Sequence, residues 1–467
     1  MTVTPQHYSE YKKSGVSWLG DVPAHWGVRR LKTVFSKIVG GSTPSSAEPS
    51  FWDGDVVWIT PTDVSKTQRL RTSLRRITRE GLKSCSSELV PPGSIIVTSR
   101  APVGNVALAE TELCTNQGCK ALLSKDDSIL PLYGLALMQV LKPEIQSLAT
   151  GTTFTEISTS TLGDVPLPLP PLDEQAAIVQ YLDYKYRRIQ RYIGAKQKLI
   201  KLLEEQKRAI THDAVTRGID GDVLLKPSGV EWIGDVPEHW RISRVKAEFQ
   251  SLNRHRIPLS STERGEMSLR TYDYYGASGI IDKVDNFLFE GELLLIAEDG
   301  ANLVLRNLPL AIIARGRYWV NNHAHILKVR RGNIEYLAAM METLNYQPWI
   351  SGAAQPKLTQ DRIMSIAITV PPPEEQARIA AFLQVATQPL EAAIDHARRE
   401  ITLLHEYRSR LIADLVTGKL DVREAAVSIP DEISPEDMIL DDMESFAENG
   451  QEDDDSGPEV SLEEVEA

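Results

Sequence analysis

Ser14-Gly-Val-Ser-Trp-Leu-Gly-Asp-Val-Pro-Ala-His-Trp26 returns 214 residues later as Ser228-Gly-Val-Glu-Trp-Ile-Gly-Asp-Val-Pro-Glu-His-Trp240. Ten of the 13 positions are identical, so the chain is internally duplicated. A second repeat has another spacing: Pro171-Leu-Asp-Glu-Gln-Ala-Ala-Ile178 matches Pro372-Pro-Glu-Glu-Gln-Ala-Arg-Ile379 at an offset of 201. The same 201 pairs Ile200, Leu203, Asp213, Val215 and Thr216 with Ile401, Leu404, Asp414, Val416 and Thr417. Between the two markers the offset falls by 13, so the intervening segments differ in length. The chain reads as head, insert, helix, head, shorter insert, helix and tail.

The helices follow from periodicity. Ile178, Leu182, Tyr186, Ile189, Ile193, Ile200, Leu203, Ile210 and Ala214 fall at steps of three and four. Sustained over about five heptads, that pattern predicts a coiled-coil seam, interrupted by Lys196 and Lys207. The second copy repeats it through Leu383, Leu390, Ile394, Ala397, Ile401, Leu404, Leu411 and Leu415, with Thr387 and Arg408 as interruptions. Gly218 and Gly418 stand where C-terminal caps are expected, and Pro389 is expected to kink or delay the second helix. Helices of ~40 residues make rods of roughly 60 Å. They pack most simply antiparallel if the halves are related by a two-fold axis. The inserts read as α/β or α+β units, with strands at Gly93–Thr98 and Gly291–Ile296 and a strand region over Tyr318–Leu327.

At 467 residues, 42% hydrophobic and 25% charged, the chain has material for about three domains. No stretch approaches the ~18–20 apolar residues of a membrane span. The start lacks an apolar leader, and Cys85, Cys114 and Cys119 form neither a disulfide framework nor a CxxC pair. A cytoplasmic location with no membrane partner is expected. The net charge of −13 is unevenly placed: Val422–Ala467 holds 17 acids and one base. Subtracting that −16 leaves +3 on the preceding 421 residues, a mildly basic body with an acidic tail expected to be disordered.

Catalytic signatures are missing. There is no GxxxxGK[ST] phosphate loop, no GxGxxG, no GxSxG and no HExxH. His323 and His325 flank Ala324 and would share a strand face, but no third metal ligand is evident, so a hydrogen-bonding role is expected. Glu298 and Asp299 are expected to satisfy backbone amides of a turn rather than act as paired acids.

The doubled heads and the Pro-Leu-Asp-Glu-Gln and Pro-Pro-Glu-Glu-Gln helix starts resemble the specificity subunit of type I restriction–modification enzymes, over residues 10–421. Gly41-Ser-Thr-Pro44, Thr98-Ser-Arg-Ala-Pro-Val-Gly-Asn105, Ala297–Asn302 and Trp319–His325 resemble pieces of that family's target-recognition domains. The resemblance implies two recognition domains, 27–170 and 241–371, separated by two long helices, 171–218 and 372–421, in an antiparallel coiled coil. The heads are then 1–26 and 219–240, and the tail 422–467.

Each domain would read half of an asymmetric, bipartite DNA site, and the helices would set the gap and dock two methyltransferase subunits. The chain itself would be non-catalytic and hold no cofactor. S-adenosylmethionine for adenine methylation, ATP and Mg would belong to the methyltransferase and the motor-nuclease subunits. A specificity module of a methylation-only system, or a partner-free DNA-binding scaffold, are the alternatives.

Base-edge and phosphate contacts favour Arg, Lys, Asn, Gln, Ser, Thr and Tyr. That selects Ser42, Thr43, Lys66, Arg100, Asn105, Asn116 and Gln117 in the first insert. In the second it selects Arg254, Arg256, Tyr272, Tyr274, Arg317 and Lys357. Ser42-Thr43-Pro44 also fits a plain turn, Asn116-Gln117-Gly118 a hairpin tip, and Tyr272–Tyr275 the edge of a core.

Overall fold

Each head folds back on itself, Tyr11–Lys13 pairing antiparallel with Asp21–Pro23, and Leu225–Pro227 with Asp235–Pro237. The strand after each head then pairs with the strand before the following long helix: Gly27–Arg30 with Pro166–Leu169, and Arg241–Arg244 with Ala367–Val370. Each insert is therefore tied shut at its base. These features belong to a computed structural model that describes residues 4–125, 128–151, 155–300, 302–306, 308–352 and 356–429. Two units divide it: Met1–Ala195 with Ile401–Ala467, and Lys196–Glu400.

Both inserts are built on one sheet plan. In the first, Phe35–Gly40, Cys119–Ser124, Ile95–Thr98 and Val106–Ala109 lie side by side in that order, with Arg69–Leu70 added at the edge. In the second, Phe249–Ser251, Ala324–Val329, Leu293–Ala297 and Ala311–Ala314 take the same order. All neighbours among these four are antiparallel in both. The expected strands at Gly93–Thr98 and Gly291–Ile296 are the fully buried Ile95–Thr98 and Leu293–Ala297. The region Tyr318–Leu327 departs from expectation. It is two strands, Arg317–Val320 and Ala324–Val329, that pair in different sheets across a turn at Asn321–His323.

The long helices are Leu172–Arg217 and Pro373–Val416. The second runs through Pro389 without a break, so the proline does not delay it. In the first unit Ile178 and Tyr181 share a core with Leu411 and Leu415. Three of the four polar residues that interrupt the seam, Lys196, Lys207 and Arg408, make cross-helix contacts. Arg408 lies 4.3 Å over the Tyr186 ring. In the second unit Lys196 meets Glu400 at 2.7 Å, Arg398 meets Glu204 at 2.9 Å, and Lys207 meets Glu391. In each unit low numbers on one helix face high numbers on the other, which is an antiparallel pairing.

The two sequence repeats meet in space. Trp26 donates its indole N–H to Glu174 at 2.7 Å, Tyr8 donates its hydroxyl at 3.3 Å, and His25 lies against the other carboxylate oxygen. The second unit rebuilds this clasp, with Trp240 and His239 on Glu375 at 3.0 and 2.8 Å. The adjacent glutamines secure the inserts. Gln175 accepts the Leu130 amide at 2.8 Å, and Gln376 accepts the Asn333 amide at 2.8 Å. Gly218 and Gly418 have φ of +80° and +77°, the left-handed conformation of a C-cap. A Cβ on Gly418 would stand 2.3 Å from Pro23. Tyr133 reaches the Val416 carbonyl at 3.3 Å, and Tyr336 reaches the Val215 carbonyl at 3.2 Å. Each recognition domain thus packs on the start of its own helix and on the end of the other.

The tail assigned from Val422 begins folded. Arg423–Val427 is a helix that buries Ala425 and Ala426, with Ala425 in the core that holds Tyr8 and Trp26. The disorder expected further on falls outside the described residues. Among the described residues no helix is long and apolar enough to cross a membrane.

Candidate nucleic-acid interface

In the first domain the loops at one edge of the sheet converge on residues 115–118. Gly41 passes the Thr115 carbonyl so closely that a Cβ would lie 2.0 Å from it, and the Ser42 amide donates to that carbonyl at 3.1 Å. The Ser87 hydroxyl accepts a second bond from the Ser42 amide, and Trp58 donates its indole N–H to the Ser42 carbonyl. Ser42 therefore anchors the turn through its backbone, leaving Thr43 exposed and bonded to Gln117. Asn116 accepts the Gly118 amide at 2.9 Å, the turn its sequence allowed. Ser99 and Arg100 donate their amides to the Gly118 carbonyl. Ser42, Thr43, Arg100, Asn116 and Gln117 thus stand together.

Arg100 donates its Nε–H to Glu156 at 3.0 Å. On the neighbouring strand burial pushes the Lys120 ammonium below its ordinary value, with Glu156 opposing. Asn105 occupies both ends of its amide, donating to Ser65 at 2.8 Å and accepting from Lys142 at 2.7 Å. With Lys66, Gln68 and Lys142 it lines an open groove of about 330 Å³. Lys66 faces solvent there, as a phosphate contact requires, while half-buried Lys142 is held by Asn105.

The second domain sorts its candidates into different places. Arg256 is an internal brace. Its guanidinium pairs with Glu298 and donates to the carbonyls of Asn322 at 3.0 Å, Ala324 at 2.9 Å and Asn253 at 3.2 Å. These bonds engage Nε and Nη1 and hold the guanidinium against the protein. Burial raises the Glu298 carboxyl, but the bond from Arg256 and the surrounding basic side chains hold it below the usual carboxylate range. Glu298 therefore serves cations, not the backbone amides expected of it. Lys357 is exposed, 3.4 Å from the same carboxylate.

His323 and His325 separate. His323 bonds to Asp299 at 2.9 Å, while buried His325 accepts from the Asn253 amide and donates its Nε2–H to the Leu358 carbonyl at 2.7 Å. Asn253 Oδ1 takes the Ile326 amide, which fixes the amide's orientation and hence the neutral tautomer of His325. Burial lowers that ring's pKa. Among the described residues no group of three His, Cys, Asp or Glu side chains could hold a metal.

Tyr274 is core, 1% exposed, and its hydroxyl accepts the Leu259 amide at 3.2 Å. Tyr272, two residues earlier and so on the same strand face, stays half-buried at the start of the strand, 5.2 Å from the Phe287 ring, with exposed Arg317 4.8 Å over the same ring. Arg317 also donates to Glu290 at 2.9 Å, a bond that raises its pKa. Arg254 is exposed and makes no ion pair among the described residues. The clasp role of Glu174 and Glu375 was not read from sequence, and Glu298 was assigned to a turn rather than to a brace. The first two had a signal, since both members of each pair recur.

One scaffold carrying two sheet domains, each with its own loop surface, is the build of a two-headed recognition protein. The chain matches the type I restriction modification DNA specificity domain over residues 23–201 and 237–400, and it belongs to that family. It is 26% identical over 442 residues to the type I restriction enzyme MjaIX specificity subunit of Methanocaldococcus jannaschii, covering 89% of this chain and 98% of that one. The EcoprrI specificity subunit of Escherichia coli is 27% identical over 370 residues, covering 76% and 85%. A solved chain from work on complex assembly and conformational transition of the type I R-M system shares the fold. It has a TM-score of 0.60 at 16% identity, over 85% of this chain and 98% of that one. The protein is a DNA specificity subunit of the type I restriction–modification class.

Proposed function

We propose that each recognition domain reads one half of a bipartite, non-palindromic DNA site. The observation that carries this reading is a pair of inserts with one sheet plan and one basal clasp but unrelated loops. A shared scaffold gives both the same stance; different loops give different half-sites. Thr43, Lys66, Arg100 and Gln117 in the first domain, and Arg254, Arg317 and Lys357 in the second, are the side chains left to face DNA. Ser42, Asn105, Asn116 and Tyr272 shape those surfaces. The long helices set the gap and dock two methyltransferase subunits, which supply S-adenosylmethionine and methylate adenine. Motor-nuclease subunits using ATP and Mg complete the restricting complex.

Adenine-methylation mapping of source cells with and without this gene tests the reading. One gapped, asymmetric motif that vanishes on deletion supports it; an unchanged methylome counts against it. Inserting seven residues near Gly194 and at the matched place in the second helix should lengthen the gap by ~10 Å, about three base pairs, with both half-sites unchanged. An altered half-site sequence would contradict the ruler. Arg100→Ala and Arg317→Ala should each cost ~1–3 kcal/mol and relax one position, in different half-sites. A duplex panel with every single-base change would report this. Equal weakening on all duplexes would make the residue a phosphate contact.

A further inference from the structure

Lys185-Tyr-Arg-Arg-Ile-Gln-Arg191 places four cations and no acid in seven residues of the first long helix. At the offset of 201 these cations fall on Ala386, Gln388, Pro389 and Ala392, so none is repeated. Whatever the duplicated frame requires should be duplicated, as should any surface used alike by two copies of one partner. The basic stretch therefore serves something that occurs once.

Its surroundings belong to the first unit. Arg187 and Arg188 are exposed, the first 3.1 Å from Asp183 and the second donating to the Tyr184 hydroxyl at 3.0 Å. Tyr192, one turn on, is 53% exposed. Lys185 lines a groove of about 410 Å³ together with Tyr181, Tyr407, Arg410 and Leu420. The groove thus joins the basic face to the segment that leads into the C-terminal arm.

That arm carries the other feature found once. Residues 430–467 hold 16 carboxylates and no lysine or arginine. They follow Ile429, which packs on the core cluster that also contains Tyr181. A coil of 38 residues spans roughly 35 Å on average, while Tyr181 to Tyr192 covers only ~17 Å of helix. Reach is ample, and tethering raises the local concentration of the acidic segment to the millimolar range.

We propose that the acidic segment 430–467 docks in cis on the basic face Lys185–Arg191, seating its carboxylates where no duplicated partner has a claim. The contact is electrostatic, so salt weakens it and another polyanion, such as the phosphates of DNA, competes for the same cations. It holds whether or not the half-site reading does.

Zero-length carbodiimide cross-linking of the full chain at low salt, mapped by peptide mass spectrometry, tests it. Lys185 should join a carboxylate between Asp431 and Glu466. The link should vanish at about 1 M salt, where the Debye length is about 3 Å. It should fall to background when Arg187→Gln, Arg188→Gln and Arg191→Gln leave Lys185 as the reporter. A second variant leaves the folded unit native: with the 16 carboxylates changed to amides, Lys185 should acetylate faster than in the parent chain. Links to other lysines only, links between two chains, a yield unmoved by the triple variant, or an unchanged acetylation rate would each overturn the proposal.

Discussion

Glu174→Ala is expected to cost the first unit ~3 kcal/mol or more, the largest loss expected from any single clasp residue. The carboxylate is 4% exposed and takes bonds from Trp26 and Tyr8, with Arg423 3.4 Å away. Removing it leaves the fully buried Trp26 indole N–H without an acceptor and Arg423 with one fewer carboxylate. Orphaning a buried donor costs about 1–3 kcal/mol, and losing a charged acceptor costs more. Glu174→Gln keeps one oxygen for Trp26 and should recover much of the loss. Urea unfolding followed by hydrogen exchange in Ile129–Leu137 locates the effect, because Gln175 ties that segment to the same helix start. A change under ~0.5 kcal/mol would mean the clasp is incidental. Glu375→Ala should act in the same way, confined to the second unit.

The second large effect is Arg256→Ala, expected at ~3 kcal/mol, because it strips a mostly buried carboxylate of its main partner. Glu298, 8% exposed, would keep Lys357 at 3.4 Å as its one permanent cation among the described residues. The pH dependence has a definite sign. A carboxylate whose folded pKa is depressed contributes stability above its unfolded pKa and loses it as pH falls through the folded value. In the variant that contribution is gone, so its stability should fall less between neutral and acid pH than the parent's. Thermal melts across that range check both parts. Unchanged stability with relaxed specificity at one base position would instead make Arg256 a base reader.

That contrast shows where sequence ran out. Helices, heads and caps were legible because they rest on short-range pattern: heptad spacing, a glycine past the last apolar position, a block that repeats. Even the interruptions of the seam could be read, though not their purpose, since Lys196 and Arg408 find their partners on the other helix. The common sheet of the inserts was hidden, because its strands pair across dozens of residues and the two inserts share little composition. For the site, residue type alone could not separate Arg256 from Arg317. Both are arginines near aromatic strands, and only burial assigns one to the fold and the other to the surface. Tyr272 and Tyr274 share a strand face, and only their depth beneath the neighbouring segments makes one half-buried and the other core.

The division of the helices also sets an order of events at the ribosome. The unit from Lys196 to Glu400 is one continuous stretch of chain and can close once its last residues emerge. The unit that contains the N-terminus cannot, because Leu411, Leu415, Val416 and Val422 fill its core. The half synthesised first is therefore the half completed last. Until residues 411–422 emerge, Trp26 and Tyr133 lack neighbours they will keep in the native state, and that interval is when a nascent chain of this design most needs protection from aggregation.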